Sequence, residues 1–345
     1  MIKAGIVGIT GYGGIELFRL LYGHPEVEIA VIKANSANGE SIKSLYPHVS
    51  HFDNICEDIS YEEIAKKCDV VFTATPHGGA SAPYLPFIKK ENKKLIDLSA
   101  DFRLINPLVY KEWYNEDHKG TEFLSEAVYG MPELHKEKIK KAWLIANPGC
   151  YTTASILGNA PLVKHNLIDV ETLIIDAKSG VSGAGRKPKQ NLHYPEMNEG
   201  FSAYGLTSHR HTPEIEQELS LLSGKNITIN FTPHLVPMNR GILASSYSKL
   251  VKKIAEKEIY DIYKEFYKNA PFVRIAEDYL PNTKYTAGSN FIDIHIKTDE
   301  RTGRVIIIST LDNLIKGASG QAVQNMNLMF GLNEKTGLDL ISLYP

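Results

Sequence analysis

Cys150 is the residue of this chain best placed for covalent chemistry. It lies in Asn147-Pro148-Gly149-Cys150-Tyr151-Thr152-Thr153-Ala154, where an apolar, strand-like run over residues 142–146 gives way to a helix-like run over 152–160. The Pro-Gly pair marks a tight turn between them. A thiol at that position meets the free N–H groups and positive dipole end of a helix, which favour the thiolate. The same N–H groups suit an oxyanion formed on a bound carbonyl. The competing reading is a small buried hydrophobe, the usual fate of a free cysteine.

A cysteine nucleophile acting on an acyl group needs a proton-transfer partner. His209-Arg210-His211-Thr212-Pro213-Glu214 is the densest source of one. Thr212 reads as a helix N-cap, Pro213 as the first helical residue and Glu214 as a first-turn acid. His211 then precedes the helix, within reach of the Glu214 carboxylate, and an imidazole fixed by a carboxylate is a common acid–base arrangement. His209 stays open as the alternative base. Anion ligands are also present. Lys178 to Arg186, through Ser179 and Gly180, is a Gly/Ser loop closed by an arginine. It offers backbone N–H groups and a fork-shaped cation to phosphate or carboxylate. Arg103, Asn147, His209 and Arg210 are further candidates for the same role.

Gly8-Ile9-Thr10-Gly11-Tyr12-Gly13-Gly14 follows the first strand-like run and precedes the first helix-like run. Glycines let a backbone turn sharply and approach a pyrophosphate facing the helix N-terminus. The spacing is G-x-x-G-x-x-G, and its strand–turn–helix context supports a dinucleotide site built on Gly8, Thr10, Gly11, Tyr12, Gly13 and Gly14. An acid at the end of the second strand would bind the ribose of NAD. Lys33-Ala34-Asn35-Ser36 has none before Glu40. Hydroxyl, amide and Lys33 suit a 2′-phosphate, so NADP is the expected cofactor, with Ser36 among its ligands.

These residues need a scaffold. With 345 residues, 43% hydrophobic and 23% charged, the chain has room for two domains and ordinary cores. A formal net charge of −2 does not suggest nucleic-acid binding. No apolar run reaches the length of a membrane span. Three cysteines without CxxC spacing make neither a disulfide framework nor a metal site, which fits a reducing cytoplasm. The first half alternates strand-like and helix-like runs, the rhythm of a Rossmann-like parallel sheet. The second half is mostly β-branched strands with few helices, an α+β domain with a mixed sheet. The expected division is 1–149 for NADP binding, completed by 313–345, and 150–312 for catalysis and dimerisation.

Eight motifs in order resemble one family. They are the glycine turn at 8–14, Pro76-His77-Gly78, Asp97 to Arg103, Tyr129 to Leu134, Asn147 to Tyr151, Ser179 to Arg186, His209 to Glu214 and Asp312 to Ala318. Over nearly its full length the chain is similar to the N-acetyl-γ-glutamyl-phosphate reductases of arginine biosynthesis, relatives of aspartate-semialdehyde dehydrogenase. The resemblance implies that Cys150 is the nucleophile, that His211 is the acid–base residue, and that Gly8, Gly11 and Gly14 line NADP. It also implies that Asn313 approaches the nicotinamide. It implies a cytoplasmic homo-oligomer, a dimer or a tetramer built from dimers, acting on a small molecule. Lys33-Ala34-Asn35-Ser36 is less basic than the family segment, which bears on the 2′-phosphate. Reduction of another acyl phosphate, aspartyl or amino-adipyl, and a non-catalytic nucleotide-binding regulator are the rival readings.

Overall fold

Strand β1 (Ile2–Val7) leads directly into the glycine turn and the helix Tyr12–Tyr22. The computed structural model describes residues 1–34 and 36–344. Asn35, part of the segment expected at the 2′-phosphate, lies outside the described residues. Two compact units are present, one of Met1–Pro148 with Ala318–Asp339 and one of Gly149–Gly317 with Leu340–Pro345. The break therefore falls inside the Pro148-Gly149 pair, and the chain returns to the first unit at Ala318, not at Asn313.

The first unit adds β2 (Val27–Lys33), β3 (Val70–Thr73), β4 (Lys94–Asp97), β5 (Ala127–Tyr129) and β6 (Leu144–Ala146) to β1. Their order is β2-β1-β3-β4-β6-β5, and every pairing is parallel. This is a Rossmann-type sheet. β3 and β6 are buried throughout, as expected of parallel strands covered on both faces. The order reverses between β1 and β3, the place where open α/β sheets bind ligands. The three residues of β5 are too few to give a periodic signal, and sequence pattern does not reveal them.

A turn of π-helix over Ile315–Ser319 leads into the helix Gly320–Met329, which is buried along its whole length. Its amides make that burial tolerable. Gln321 and Asn325 donate to Gly130 O at 3.0 and 2.8 Å, and Asn327 donates to Glu334 O at 3.1 Å. Buried polar groups persist in a core when they are paired in this way.

The second unit holds β7 (Ile168–Gly180), β8 (Ser202–Ala203), β9 (Asn230–Val236), β10 (Ile242–Leu250), β11 (Val273–Ile275), β12 (Ile292–Asp299) and β13 (Arg304–Leu311). They run in the order β11-β12-β13-β10-β7-β9-β8. β10 is antiparallel to both β7 and β13, while β7 and β9 are parallel, so the sheet is mixed. The helix Cys150–Lys164 packs on it and is buried from Tyr151 to Val163. A helix covered on all sides belongs in a core.

Pro161 interrupts that helix. It has no N–H for Leu157 O, and its ring crowds the turn before it. Tyr267 OH donates to Leu157 O at 2.5 Å, replacing the missing donor, and Tyr263 OH donates to the next carbonyl, Gly158 O, at 2.6 Å. Tyr267→Phe should leave Leu157 O buried and unsatisfied, at a cost of about 1–3 kcal/mol. Thermal unfolding is expected to begin at lower temperature with turnover unchanged at 25 °C. An unaltered midpoint would remove this account of the proline.

Candidate active site

Cys150 sits at the start of a helix that has no side-chain cap of its own. Gly149 is the N-cap, with φ −72° and ψ 159° and no side-chain cap, and Cys150 is the first residue of its helix. The helix thus begins two residues before the Thr152 start expected from the sequence. Cys150 is half-buried, whereas Cys56 and Cys68 are buried. Burial pushes the Cys68 thiol up to about 12 and raises that of Cys56, so neither is a reactive thiol at neutral pH.

Asn147, just upstream, is gripped inside the first unit. Its N–H donates to Asp97 O at 2.8 Å, and its carbonyl accepts from Arg103 Nε at 2.8 Å. Its amide donates to Ala318 O at 3.0 Å and accepts from Asn325 at 3.2 Å. Arg103 is buried and also donates to Leu98 O at 2.9 Å. These contacts of Asn147 and Arg103 fix the approach to the turn.

In the second unit, His211 is the N-cap of the helix Thr212–Ser223. Residue preference alone puts Thr212 there. The first i→i+4 bond runs from Ile215 N–H to His211 O at 3.1 Å, which makes Thr212 helical, and Thr212 is buried. Glu214 is 1% exposed. Its Oε1 accepts from Gly149 N–H and from the Thr152 hydroxyl, both at 2.9 Å. These contacts tie the acid to the turn that carries Cys150. A Cβ on Gly149 would fall 2.3 Å from His211 Nε2, and one on Gly317 would fall 2.8 Å from the Cβ of Cys150. The imidazole, the Cys150 turn and Gly317 are therefore packed without room for side chains at the two glycines.

His209 and His211 play different parts. His209 Nδ1 accepts the His211 N–H at 3.1 Å, so a neutral His209 carries its proton on Nε2. Its ring is boxed by Tyr151, Tyr204 and Phe231, with centroids 5.6, 5.3 and 5.4 Å away. Burial, with the neighbouring His211 and Arg210, holds its pKa down to about 2. His209 thus stays neutral at working pH. Tyr151 donates to His234 O at 2.7 Å. These aromatic residues escape a sequence reading, since nothing in their local pattern tells a ring at a site from one in a core.

The Gly/Ser loop differs from its expected form. The N–H groups of Gly180, Val181 and Ser182 donate to Gly241, Met238 and Asn239 carbonyls at 2.9, 2.9 and 3.1 Å. Ser179 is buried, with its hydroxyl on Gly180 O at 3.0 Å. These first N–H groups brace the loop. Arg186 and Arg210 are exposed. Asn313 is buried, accepting from Gly241 N–H at 2.8 Å and donating to Ser182 Oγ at 2.9 Å. Its amide ties the loop to the end of β13.

The first unit carries the nucleotide turn. Gly8 has φ +94°, and a Cβ on Gly14 would sit 2.2 Å from Gly8 O. Gly11 is an extended N-cap without a side-chain cap, and no acid lies in the first helical turn. That leaves the helix end open to an anion, and the glycine turn fits a dinucleotide. Thr10 O accepts from Tyr46 OH at 2.8 Å, and Gly13 O accepts from Ser319 Oγ at 3.0 Å. Tyr12 and Ser36 are exposed. Lys33 is buried and donates to Ile59 O at 2.8 Å; it is not the 2′-phosphate ligand expected from the sequence. Among the described residues there is no cluster of three or more metal-ligating His, Cys, Asp or Glu side chains. None of the described helices is long and apolar enough to cross a membrane.

Residues 3–142 match the model of the semialdehyde dehydrogenase NAD binding domain, and residues 150–313 that of the semialdehyde dehydrogenase dimerisation domain. N-acetyl-gamma-glutamyl-phosphate reductase of Desulforamulus reducens is 50% identical over all of both chains. That of Geobacter metallireducens is also 50% identical at full coverage. The chain belongs to the N-acetyl-γ-glutamyl-phosphate reductase family of semialdehyde dehydrogenases. The fold agrees with solved members of the wider group. Aspartate semialdehyde dehydrogenase II of Vibrio cholerae, complexed with ASA, superposes with TM-score 0.71 at 15% identity, covering 96% of this chain and 98% of that one. The Candida albicans aspartate semialdehyde dehydrogenase with NADP gives 0.70 at 16% identity, covering 96% and 98%.

In this reductase-family site the room left by Gly149 is a requirement that can be tested. Gly149→Ala should displace His211 while sparing the thiol. Turnover is expected to fall roughly 10²–10⁴-fold, the worth of a general acid–base group, with stoichiometric alkylation of Cys150 retained. Wild-type turnover in that variant would mean that the imidazole need not sit against Gly149.

Proposed function

We propose that the protein catalyses NADPH-dependent reductive dephosphorylation of N-acetyl-γ-glutamyl phosphate to N-acetylglutamate 5-semialdehyde, a step of arginine biosynthesis. The observation that carries the reading is the packing of His211 on Gly149, next to a half-buried thiol at a helix N-terminus.

The Cys150 thiolate attacks the acyl carbon, the C–O bond to phosphate breaks, and a thioester forms with inorganic phosphate as leaving group. Sulfur suits this step because thiolate both attacks and leaves well, and a thioester accepts hydride more readily than an ester. When bound, NADPH supplies the hydride that the thioester requires. Gly8, Thr10, Gly11, Tyr12, Gly13 and Gly14 would hold it, and Ser36 and Asn313 would be further cofactor contacts. His211 manages the proton on the oxygen of the tetrahedral species as C–S cleavage frees the aldehyde and the thiol. Arg186 and Arg210, both exposed, supply charge to the anionic substrate, with Ser179, Gly180 and Asn147 shaping the site and His209 supporting His211. The lack of an acid before Glu40 favours NADP over NAD.

A homo-oligomer is consistent with the dimerisation domain. The outer face of the mixed sheet supports a dimer or a dimer of dimers: Tyr247 lies beside Ile174 and Ile306 in register, and Ile174 is 40% exposed. Cysteines that form no disulfide among the described residues suit a reducing cytoplasm.

The decisive assay is phosphate-dependent oxidation of N-acetylglutamate 5-semialdehyde. Activity should be greater with NADP than with NAD, and greater than with aspartate semialdehyde. Cys150→Ser should abolish it while NADP still binds; near-normal turnover would sink the thioester. His211→Asn should slow turnover at least about tenfold more than His209→Asn. Because the His209 pKa is near 2, the second variant should leave the acid limb of the pH–rate profile in place. A shifted limb would move the base to His209.

A further inference from the structure

Two helix N-termini meet at one buried carboxylate. Glu214, in the first turn of Thr212–Ser223, accepts the N–H of Gly149, the N-cap of Cys150–Lys164. The Thr152 hydroxyl lies 2.6 Å from Gly149 O and 2.9 Å from Glu214 Oε1, its one proton shared between the two acceptors, closing a ring around the peptide before Cys150. Thr153 adds a hydroxyl contact to the same carbonyl at 3.1 Å. Both polar groups of Gly149 are thereby committed, and the side chains holding them, Glu214, Thr152 and Thr153, are all buried.

We propose that Glu214 is a positioning residue for the nucleophile, with no direct proton transfer: its carboxylate locks the peptide before Cys150 and sets the distance from Cys150 to His211. This inference rests on the thioester reading above. The Gly149 N–H is then not available to an oxyanion, so stabilisation of the tetrahedral species falls to N–H groups from Cys150 onward. The carboxylate also places a negative charge beside the Cys150 turn; the helix dipole favours it there, but it opposes formation of the thiolate, so the thiol depends on its other neighbours. On the segment of Glu214 these are His211 and Arg210, with His209 held neutral. From the Cys150–Lys164 helix and the loop after β8, the phenols of Tyr151 and Tyr204 feel the Cys150 charge. On the Gly317 side the acid is Asp312. It is turned to the N–H groups of Gly288 and Leu314, with Arg240 3.8 Å away, and Lys316 lies over Phe272.

The test compares Glu214→Gln with Glu214→Ala in the full-length protein, reading iodoacetamide alkylation of Cys150 against pH beside steady-state kinetics. Glutamine keeps an acceptor for Gly149 N–H and loses the charge. Its alkylation midpoint should fall by about one pH unit, with kcat within about tenfold of wild type. Alanine loses the clamp, and kcat should fall by at least about 100-fold with the KM for NADP unchanged. Rescue of kcat by glutamine relative to alanine supports positioning. Equal loss in both variants, or a moved imidazole limb with an unmoved thiol midpoint in Glu214→Gln, overturns it and makes the charge a partner of His211. Should Glu214→Ala fail to fold, Thr152→Val opens the same ring, and an unchanged kcat there overturns the proposal. Alkylation does not require turnover, so this test fails separately from the proposed reaction.

Discussion

The hydrogen bond from Gly149 N–H to the buried Glu214 carboxylate joins residues 65 apart in sequence, and the site is arranged around it. A buried carboxylate is costly unless hydrogen bonds satisfy it. Here the satisfying donors belong to the peptide and helix that present the thiol. The carboxylate thus fixes the start of Cys150–Lys164, and the His211 cap follows because it lies three residues before the acid on one helical turn. Gly149 then has to be glycine, since the imidazole occupies the volume where its Cβ would stand.

A second layer of buried polar groups serves the chain leading into that turn. Asn147 has its N–H, its carbonyl and both ends of its amide occupied by Asp97, Arg103, Ala318 and Asn325. Asp97 is fully buried, and desolvation with the nearby Asp101 raises its pKa to about 6 despite hydrogen bonds from Ser99 and Thr73. Such a network is tolerable in a core only because its members are paired, and pairing makes it specific. Residues that look like anion ligands in the sequence, Arg103 and Asn147, are the members that hold backbone in place.

Much of the fold is legible in the sequence because its signals are local. The buried parallel strands read as apolar runs, and the glycine turn declares itself through spacing, with Gly8 at φ +94° and Gly14 against Gly8 O. Short elements are not legible: β5 spans three residues and β8 two, fewer than any periodicity needs. The cap of Thr212–Ser223 is misplaced by one residue from sequence because Ser, Thr and Asp preferences are statistical, while the hydrogen bond from Ile215 begins the helix at His211.

The sequence by itself carried the family, the glycine turn and a lone cysteine at a strand-to-helix turn, since each depends on residues adjacent in the chain. Tertiary structure alone decided the direction in which polar side chains point. Lys33 turns inward to Ile59, Asn313 braces Gly241 and Ser182, and His209 packs among aromatic rings while His211 lies against Gly149. A long polar side chain has several rotamers of similar energy, and local sequence does not choose among them. The choice is made by desolvation and by donors that arrive from distant parts of the chain.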